Sequence, residues 1–374
     1  MNDYFGSSLG SHPPTKSAFC QARLKLNDSF HASFFNKTVS LFDTHAHLKT
    51  FKGLRLLACD TTVQKLPDND QTRLIGIHKN QHTIVASTKI LTYHDVLNSI
   101  TTYAALHDKG LADIRCAQGV VSTLKQDTIS IYDRGFGSHL IPYLHTLSGS
   151  KYVIRLRVEF SNTTKALMRS TDNEAVISEQ IQPKAVKELH KMGTHVSSYE
   201  ILAYRLVKIE LSTGETEILM TNLDATFTAE DLAEVYRLRW GIETAYNYFK
   251  NTFMLGTFSG YSPTAVKQDT WCVLIMYNLQ TILQYDCQKE LEEINKRRKA
   301  DYKINRNVGA GTLRNHLRSL FLGAKTKVQQ AIKHIEKLFL ASLEKVKPNK
   351  QERDRKRLRS NDRHQTELNY KRGF

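Results

Sequence analysis

Short β-prone stretches alternate with helix-prone stretches through the first half of the chain, and this alternation restricts the fold more than any other feature. Four stretches rich in β-branched, aromatic and aliphatic residues predict strands: residues 53–59 (GLRLLAC), 82–93 (HTIVASTKILTY), 128–132 (TISIY) and 152–158 (YVIRLRV). Segments with helical character, residues 111–125 and 138–147, lie between them. Strands that alternate with helices favour an α/β protein built on a central sheet.

Two of the predicted strands lead directly into an aspartate. Asp60 follows residues 53–59, and Asp133 follows residues 128–132. In open α/β sheets, binding and catalytic sites collect at the carboxyl ends of the strands. Because Asp is also a common turn former, a turn is the simpler interpretation for either residue taken alone.

A third acidic residue, Glu243, lies in a segment with helical periodicity, residues 230–250 (EDLAEVYRLRWGIETAYNYFK). At about 100° per residue, four polar residues share one arc of about 60°: Tyr236, Arg239, Glu243 and Lys250. A second arc, rotated by about 120°, is apolar and suited to packing on a core: Leu238, Ile242, Ala245 and Phe249. The helix therefore presents a carboxylate, two cations and a phenol away from its apolar stripe.

The chemistry of this polar arc is that expected where a metal ion meets a phosphate backbone. The carboxylate binds the metal, and the cations and the phenol bind phosphate oxygens. The alternative is an amphipathic surface helix with ordinary charge pairs, such as Arg239 with Glu243. Gly241 inside the pattern weakens the helix prediction or marks a bend.

The charge balance indicates a polyanionic partner. The 374 residues carry a formal net charge of +16, with a pI near 9.5, and nucleic acid is the leading candidate. An anionic membrane is a poor alternative, because the longest strongly apolar run, residues 271–277, falls far short of the roughly 20 residues of a membrane span. The first ten residues lack a signal pattern, and the five scattered cysteines contain no CxxC pair. We therefore expect a cytoplasmic protein whose cysteines are reduced.

The spacing of Tyr236, Arg239, Glu243 and Lys250 resembles the Tyr-Arg-Glu-Lys signature of DDE insertion-sequence transposases of the IS-four type. Three further segments resemble motifs of the same family: Asp60-Thr-Thr the first-Asp motif, Asp133-Arg-Gly-Phe the second-Asp motif, and Thr221-Asn-Leu223 the segment that leads into the signature helix. Thr61 departs from the family, where Gly is more usual. The resemblance covers approximately residues 53–290.

The resemblance implies an α/β fold with an RNase H-like catalytic core, in which a mixed sheet with flanking helices is interrupted by a β-rich insertion domain. The expected boundaries, in chain order, are a short helical N-terminal region at 1–50, core at 51–158, insertion at 159–225, core at 226–292, and a basic helical C-terminal region at 293–374. Relatives generally begin with a longer end-recognising region, so we expect a shortened N-terminus and weak sequence-specific binding of DNA ends.

By the same resemblance, Asp60, Asp133 and Glu243 are the catalytic residues and the metal ligands. Three carboxylates suit two Mg²⁺ ions that act on a phosphodiester, with Mn²⁺ as a substitute and Asp133 as the bridging ligand. The resemblance also implies that Tyr236, Arg239 and Lys250 contact DNA phosphates, with Trp240 beside them. Packing in the core is the alternative for Trp240.

Transposases of this type bind inverted terminal repeats, cut the DNA and transfer the freed 3′-OH into target DNA, usually as homodimers. Two alternatives stay open: a catalytically inactive DNA-binding protein derived from a transposase, and an RNase H-like nuclease that only hydrolyses. The tail, residues 345–374, holds eleven Lys or Arg and four acidic residues. We expect it to add DNA affinity that is independent of sequence and weakens with salt.

Overall fold

The computed structural model describes residues 15–79, 83–210 and 214–346, without the side chains of Lys16 and Asp28. The predicted basic tail therefore lies almost entirely outside the described residues. The chain forms two compact units. The central unit is His47–Tyr248, and the terminal unit combines the described parts of Met1–Ala46 and Phe249–Phe374.

The described helices, in chain order, are α1 (Lys16–Leu24), α2 (Asp28–His45), α3 (Asp70–Arg73), α4 (Asp113–Val121), α5 (Leu140–Ser148), α6 (Asn162–Arg169), α7 (Pro183–Lys191), α8 (Ala229–Leu238), α9 (Trp240–Asn251), α10 (Pro263–Asp286), α11 (Gln288–Lys296), α12 (Arg306–Leu322) and α13 (Lys325–Ala341). The described strands are β1 (Arg55–Lys65), β2 (Ile77–Lys79), β3 (Ile84–Asp95), β4 (Ile100–Asp108), β5 (Thr128–Tyr132), β6 (Lys151–Leu156), β7 (Glu174–Gln180), β8 (Ile201–Glu210), β9 (Thr216–Thr221), β10 (Tyr302–Ile304) and β11 (Leu343–Lys345).

The strands of the central unit form one mixed sheet in the order β2-β3-β1-β5-β6-β9-β8-β7, with β4 also paired to β3. β1 runs antiparallel to β3, and β3 antiparallel to β4. On its other side β1 is parallel to β5, which is parallel to β6. Three antiparallel strands followed by two parallel ones, in the order β4-β3-β1-β5-β6, are the RNase H-like arrangement, and the predicted fold class is confirmed.

The segment between Asp133 and the signature helices enlarges this sheet. β9 pairs with β6, β8 with β9, and β7 with β8, all antiparallel. Residues 159–225, predicted as a β-rich insertion, thus contribute three strands to the central sheet, together with α6 and α7.

The sheet is buried on both faces in its middle, which explains the apolar runs in the sequence. Alternate residues of β1 enter different clusters: Leu57 packs with Ile141 and Leu144 of α5, whereas Leu56 packs with Leu232 of α8. All five residues of β5 are buried. Strands at this position lose solvent on both sides, so they take side chains that are apolar or, like Thr128 and Ser130 in β5, small.

The strand that carries Asp60 is longer than predicted. β1 continues through Asp60 to Lys65 because its antiparallel pairing with β3 extends from Leu57–Asp95 to Lys65–Ser87. Its parallel pairing with β5 ends one residue before Asp60, at Cys59 and Tyr132. The prediction that Asp60 lies at the end of a strand is therefore wrong for β1 as a whole. It is right for the parallel pairing of β1 with β5, which ends at Cys59.

The segment predicted as one helix, residues 230–250, contains a break at Arg239. There the hydrogen bonds tighten to a three-residue spacing, from Arg239 N–H to Tyr236 O and from Ile242 N–H to Arg239 O. Gly241 is not itself the break. A Cβ on Gly241 would lie 3.1 Å from Val96 Cγ1, so glycine permits the close approach of α9 to the turn after β3. Thr228 is the N-cap of α8 and forms a capping box with Asp231.

In the terminal unit, α10 has Ser262 as its N-cap and Pro263 as its first helical residue. The N-terminal region contains two helices, because Asn27 caps a new helix, α2. Phe19 and Phe30 are exposed. Phe35 is buried instead and packs on Trp271 at 5.4 Å between ring centroids.

A membrane-spanning helix is absent from the described ranges 15–79, 83–210 and 214–346, since none of their helices combines sufficient length with sufficient apolar character.

Candidate active site

Asp60 and Asp133 occupy equivalent positions on two adjacent strands. Each directly follows a residue of the last parallel pair, Cys59 with Tyr132, so the sheet itself brings the two aspartates side by side. Asp60 is half-buried, and its Oδ1 accepts a hydrogen bond of 2.7 Å from the Thr61 N–H. Asp133 caps a 3₁₀ turn at Arg134–Phe136 and accepts from the Gly135 N–H at 2.8 Å.

Glu243 lies in the first turn of α9, where its Oε1 accepts a hydrogen bond of 2.6 Å from Arg239 Nη2. The Arg239 side chain is largely buried, at 12% exposed, and lies over the Tyr236 ring at 5.6 Å from the centroid. Three of the four residues of the predicted polar arc, Tyr236, Arg239 and Glu243, thus form a connected group of side chains. The charge pair between Arg239 and Glu243, considered above as the simpler alternative, forms within it.

The three acidic residues act on one another electrostatically. Burial is the largest cause that raises the pKa of Asp60 to about 7, and the charges of Asp133 and Glu243 act in the same direction. The Thr61 hydrogen bond and the Arg239 charge oppose this rise in pKa. The charges of Asp133 and Glu243 therefore act on Asp60, although Asp60 and Glu243 are separated by 183 residues in the sequence.

The three acidic side chains have the donor chemistry of a site for a divalent metal ion. Three carboxylates are hard oxygen donors of the kind that Mg²⁺ and Mn²⁺ prefer, and a cation would offset the repulsion that raises the pKa of Asp60. Among the described residues, no group of three or more His, Cys, Asp or Glu side chains is drawn together as a ready-made coordination shell. Glu243 is held by Arg239 instead. The donor chemistry fits, and the three carboxylates would have to move closer on binding.

A buried ion pair that sequence reasoning missed lies beside the polar arc. Arg155 on β6 pairs with Glu217 on β9, and Glu217 is only 7% exposed. Burial raises the pKa of Glu217, while the charges of Arg155 and Arg239 lower it. Burial also raises the pKa of Tyr236, against the charges of Arg239 and Arg155. No local signal marks Glu217, because it comes close to the site only through the pairing of β9 with β6.

The same ion pair borders a pocket of about 740 Å³ on the central unit. Its charged lining residues are Arg134, Arg155, Arg157, Glu159, Glu215 and Glu217. Positive and negative side chains are equal in number there, so the pocket is strongly polar without a net excess of either charge.

The last two predicted DNA-contacting residues also lie on α9. Trp240, its first residue, is 56% exposed, and the alternative that it packs in the core is wrong. Lys250 is exposed in the last turn of the helix, in the part of the chain that belongs to the terminal unit. The Trp240 indole and the Lys250 side chain are thus both exposed to solvent.

A family model described as "Transposase DDE domain" matches residues 51–279, which is more than half of the chain. The chain belongs to the DDE transposase family. Transposase InsG for insertion sequence element IS4, from Escherichia coli (strain K12), is 23% identical over 269 residues, which cover 70% of this chain and 60% of the relative. The predicted resemblance to DDE transposases of the IS-four type is confirmed.

Among solved structures, the chain is similar to the piggyBac transposase in its synaptic complex with hairpin DNA. The TM-score is 0.41 and the identity 12%, with 86% of this chain and 65% of that chain covered. The chain therefore spans less than two thirds of the length of both the curated relative and the solved structure.

Proposed function

We propose that this DDE transposase family member is an active insertion-sequence transposase, which binds transposon-end DNA and catalyses metal-dependent strand cleavage and strand transfer. The observation that carries the proposal is the position of Asp60 and Asp133 side by side after the parallel pairing of β1 with β5, where the charges of Asp133 and Glu243 both raise the pKa of Asp60. These are the three acids expected of a DDE site, and they come from β1, the end of β5 and α9. Family membership of residues 51–279 supports the same conclusion.

Asp60, Asp133 and Glu243 would hold the metal, each through its carboxylate oxygens. Two bound Mg²⁺ ions, or Mn²⁺ in their place, would activate the attacking oxygen and stabilise the leaving oxygen of a phosphodiester. The three carboxylates would orient the metal ions and offset their positive charge. Because Asp60 is partly buried, bulk water screens these interactions less.

Arg239 is suited to a double role in this site. Its Nη2 donates to Glu243, while its Nε has no hydrogen-bond partner among the described residues. A guanidinium carries five N–H donors, so Arg239 can orient Glu243 and bind a phosphate oxygen at the same time. Tyr236 and Lys250 supply further donors on the same helical segment, and the exposed ring of Trp240 offers a surface on which a base can stack.

The two chemical steps balance without any other cofactor. In cleavage, a water oxygen attacks phosphorus, and the bond from phosphorus to the 3′ oxygen breaks as that oxygen takes up a proton. In strand transfer, the freed 3′-OH attacks a phosphodiester of target DNA and loses its proton, and the displaced target oxygen gains one. The number of phosphodiester bonds is conserved in the second step.

The proposed partners are the inverted repeats of the transposon, target DNA and a second copy of this chain on the DNA. The net charge of +16 supports binding to a polyanion. A cytoplasmic location is part of the proposal, since both DNA substrates of a bacterial insertion sequence are found there.

The deciding experiment is a gel assay of the purified protein with Mg²⁺ and a plasmid that carries candidate inverted repeats. Asp60→Asn, Asp133→Asn and Glu243→Gln are compared with Glu234→Gln, which removes an exposed carboxylate from α8. We expect nicked, hairpinned or joined products from the wild type and the Glu234 variant, and a loss of about 10³-fold or more in the other three.

Three results would contradict the proposal. Products that persist in the Asp60, Asp133 and Glu243 variants would exclude the three-acid site. DNA binding without products, under varied metal and substrate, would favour the inactive DNA-binding protein, and cleavage without joined products would favour the hydrolytic nuclease.

A further inference from the structure

One buried hydroxyl connects the helix of Glu243 to the strand of Asp60. Tyr246 lies on α9, three residues after Glu243, and is 6% exposed. Its hydroxyl lies 2.6 Å from the backbone carbonyl oxygen of Asp60 and 2.8 Å from Thr92 Oγ1. Asp60 and Thr92 face each other in the pairing of β1 with β3. The hydroxyl therefore reaches both strands at the register position of the first acidic residue.

The direction of these two hydrogen bonds follows from their chemistry. A carbonyl oxygen only accepts, so the single Tyr246 O–H donates to Asp60, and the Thr92 hydroxyl donates to Tyr246. Burial raises the pKa of Tyr246 well above its usual value, which keeps the donor proton in place. Removing the Tyr246 hydroxyl would leave the Asp60 carbonyl without this donor in a buried place.

We propose that Tyr246 is a positioning residue, which fixes Glu243 relative to Asp60 by tying α9 to the Asp60 peptide. The inference rests on the proposed function, because it assumes that both acids hold metal in one site. Residues three apart lie on neighbouring sides of a helix, so an anchor at Tyr246 restrains the side chain of Glu243 closely.

The need for such an anchor follows from the break at Arg239. If the helix were continuous, the position of α8 would fix the position of α9. The tightened turn at Arg239 interrupts the helix, so contacts of α9 itself must fix its position. Within the central unit, the described contacts of α9 with the sheet include the approach of Gly241 to Val96, in the turn after β3, and the bond from the Tyr246 hydroxyl to Asp60 on β1. Catalytic groups must be held to within about 0.5 Å, and rigid elements with supporting hydrogen bonds provide this.

A buried tyrosine can also stabilise the core alone, and the chain offers a matched control for that alternative. Tyr93, on the same strand as Thr92, is fully buried, and its hydroxyl bonds the Tyr132 hydroxyl at 3.0 Å. Tyr93→Phe therefore removes a buried, hydrogen-bonded hydroxyl from the same sheet without touching the link between α9 and Asp60.

The test compares Tyr246→Phe, Thr92→Val, Thr92→Ser, Tyr93→Phe and Asp60→Asn with the wild type. Four quantities are measured on the full chain: Mn²⁺ affinity by electron paramagnetic resonance titration without DNA, kcat for cleavage, KM for DNA, and the unfolding temperature. For Tyr246→Phe we expect Mn²⁺ affinity and kcat to fall by about tenfold or more, with KM for DNA within about twofold. Thr92→Val should show a smaller fall, because the bond to Asp60 survives. Thr92→Ser and Tyr93→Phe should bind Mn²⁺ like the wild type.

The outcomes separate this inference from the proposed function on which it rests. If Tyr246→Phe and Tyr93→Phe have the same Mn²⁺ affinity and kcat, the positioning role is overturned. If the wild type and Asp60→Asn bind Mn²⁺ equally well, the metal site itself fails, and with it the proposed function. Should Tyr246→Phe not fold, Thr92→Val decides: wild-type Mn²⁺ affinity and kcat in that variant would overturn the role.

Discussion

At the scale of single residues, His145 shows how burial fixes a protonation state in the core. It is fully buried, with Tyr132 Oη 2.9 Å from its Nε2 and Ser150 Oγ 2.6 Å from its Nδ1. Burial lowers the pKa of His145 from 6.5 to about 3. The folded state therefore favours the neutral ring. This preference contributes fully to stability above about pH 6.5 and is lost as the pH falls toward 3.

We accordingly predict that the free energy of unfolding falls with acidification below pH 6.5, by up to about 1.4 kcal/mol per pH unit from this residue alone. His145→Gln should be less stable than the wild type at pH 7 but should lose less stability between pH 6.5 and 4. Urea unfolding at several pH values measures both slopes. His78→Gln, at an exposed histidine on β2, is the control and should keep the wild-type slope. Equal slopes for His145→Gln and the wild type would contradict the prediction.

At the scale of helices and strands, the sequence was informative wherever the signal was local. The caps at Thr228 and Ser262 are side-chain to backbone contacts within one turn, and both were predictable. The extension of β1 past Asp60 depends on its pairing with β3, which no local pattern reveals. Tyr246 and Glu217 were not predicted for the same reason. Tyr246 bonds Asp60, which lies 186 residues away in the sequence, and Glu217 on β9 pairs with Arg155 on β6.

Gly241 provides a prediction at this scale, since two effects of a methyl group oppose each other there. Alanine raises helix propensity by about 1 kcal/mol over glycine. Its Cβ, however, would lie 3.1 to 3.2 Å from the stiff side chain of Val96. We expect Gly241→Ala to be no more stable than the wild type, and its kcat for cleavage to fall as α9 shifts. Val96→Ala should partly restore both in the double variant, as a double-mutant cycle of urea unfolding and cleavage rates would measure. Additive effects would show that Val96 is not the cause.

At the scale of the whole molecule, the alternation of strands and helices predicted an α/β protein on a central sheet, and the resemblance implied the RNase H-like arrangement that the strand order shows. Asp60 and Asp133 could be placed together because parallel neighbouring strands end at one edge. The coupling of Glu243 to them required a third element, α9, whose position depends on long-range contacts such as that of Gly241 with Val96. Sequence therefore predicted the identity of the candidate site residues better than their mutual geometry.

The basic tail gives the last prediction. Residues 347–374 carry ten Lys or Arg and four acidic residues, and ending the chain at residue 346 leaves β11 in place. Each phosphate neutralised by a cation releases counterions, so deletion should weaken DNA binding on every sequence and flatten the plot of log affinity against log salt. Fluorescence anisotropy on specific and random duplexes from 50 to 300 mM salt, on the order of the range where this effect is large, measures the slope. A full-length control with Gln at the ten basic positions should match the deletion, because only charge is removed. An unchanged slope in both variants would show that the tail does not contact the DNA backbone.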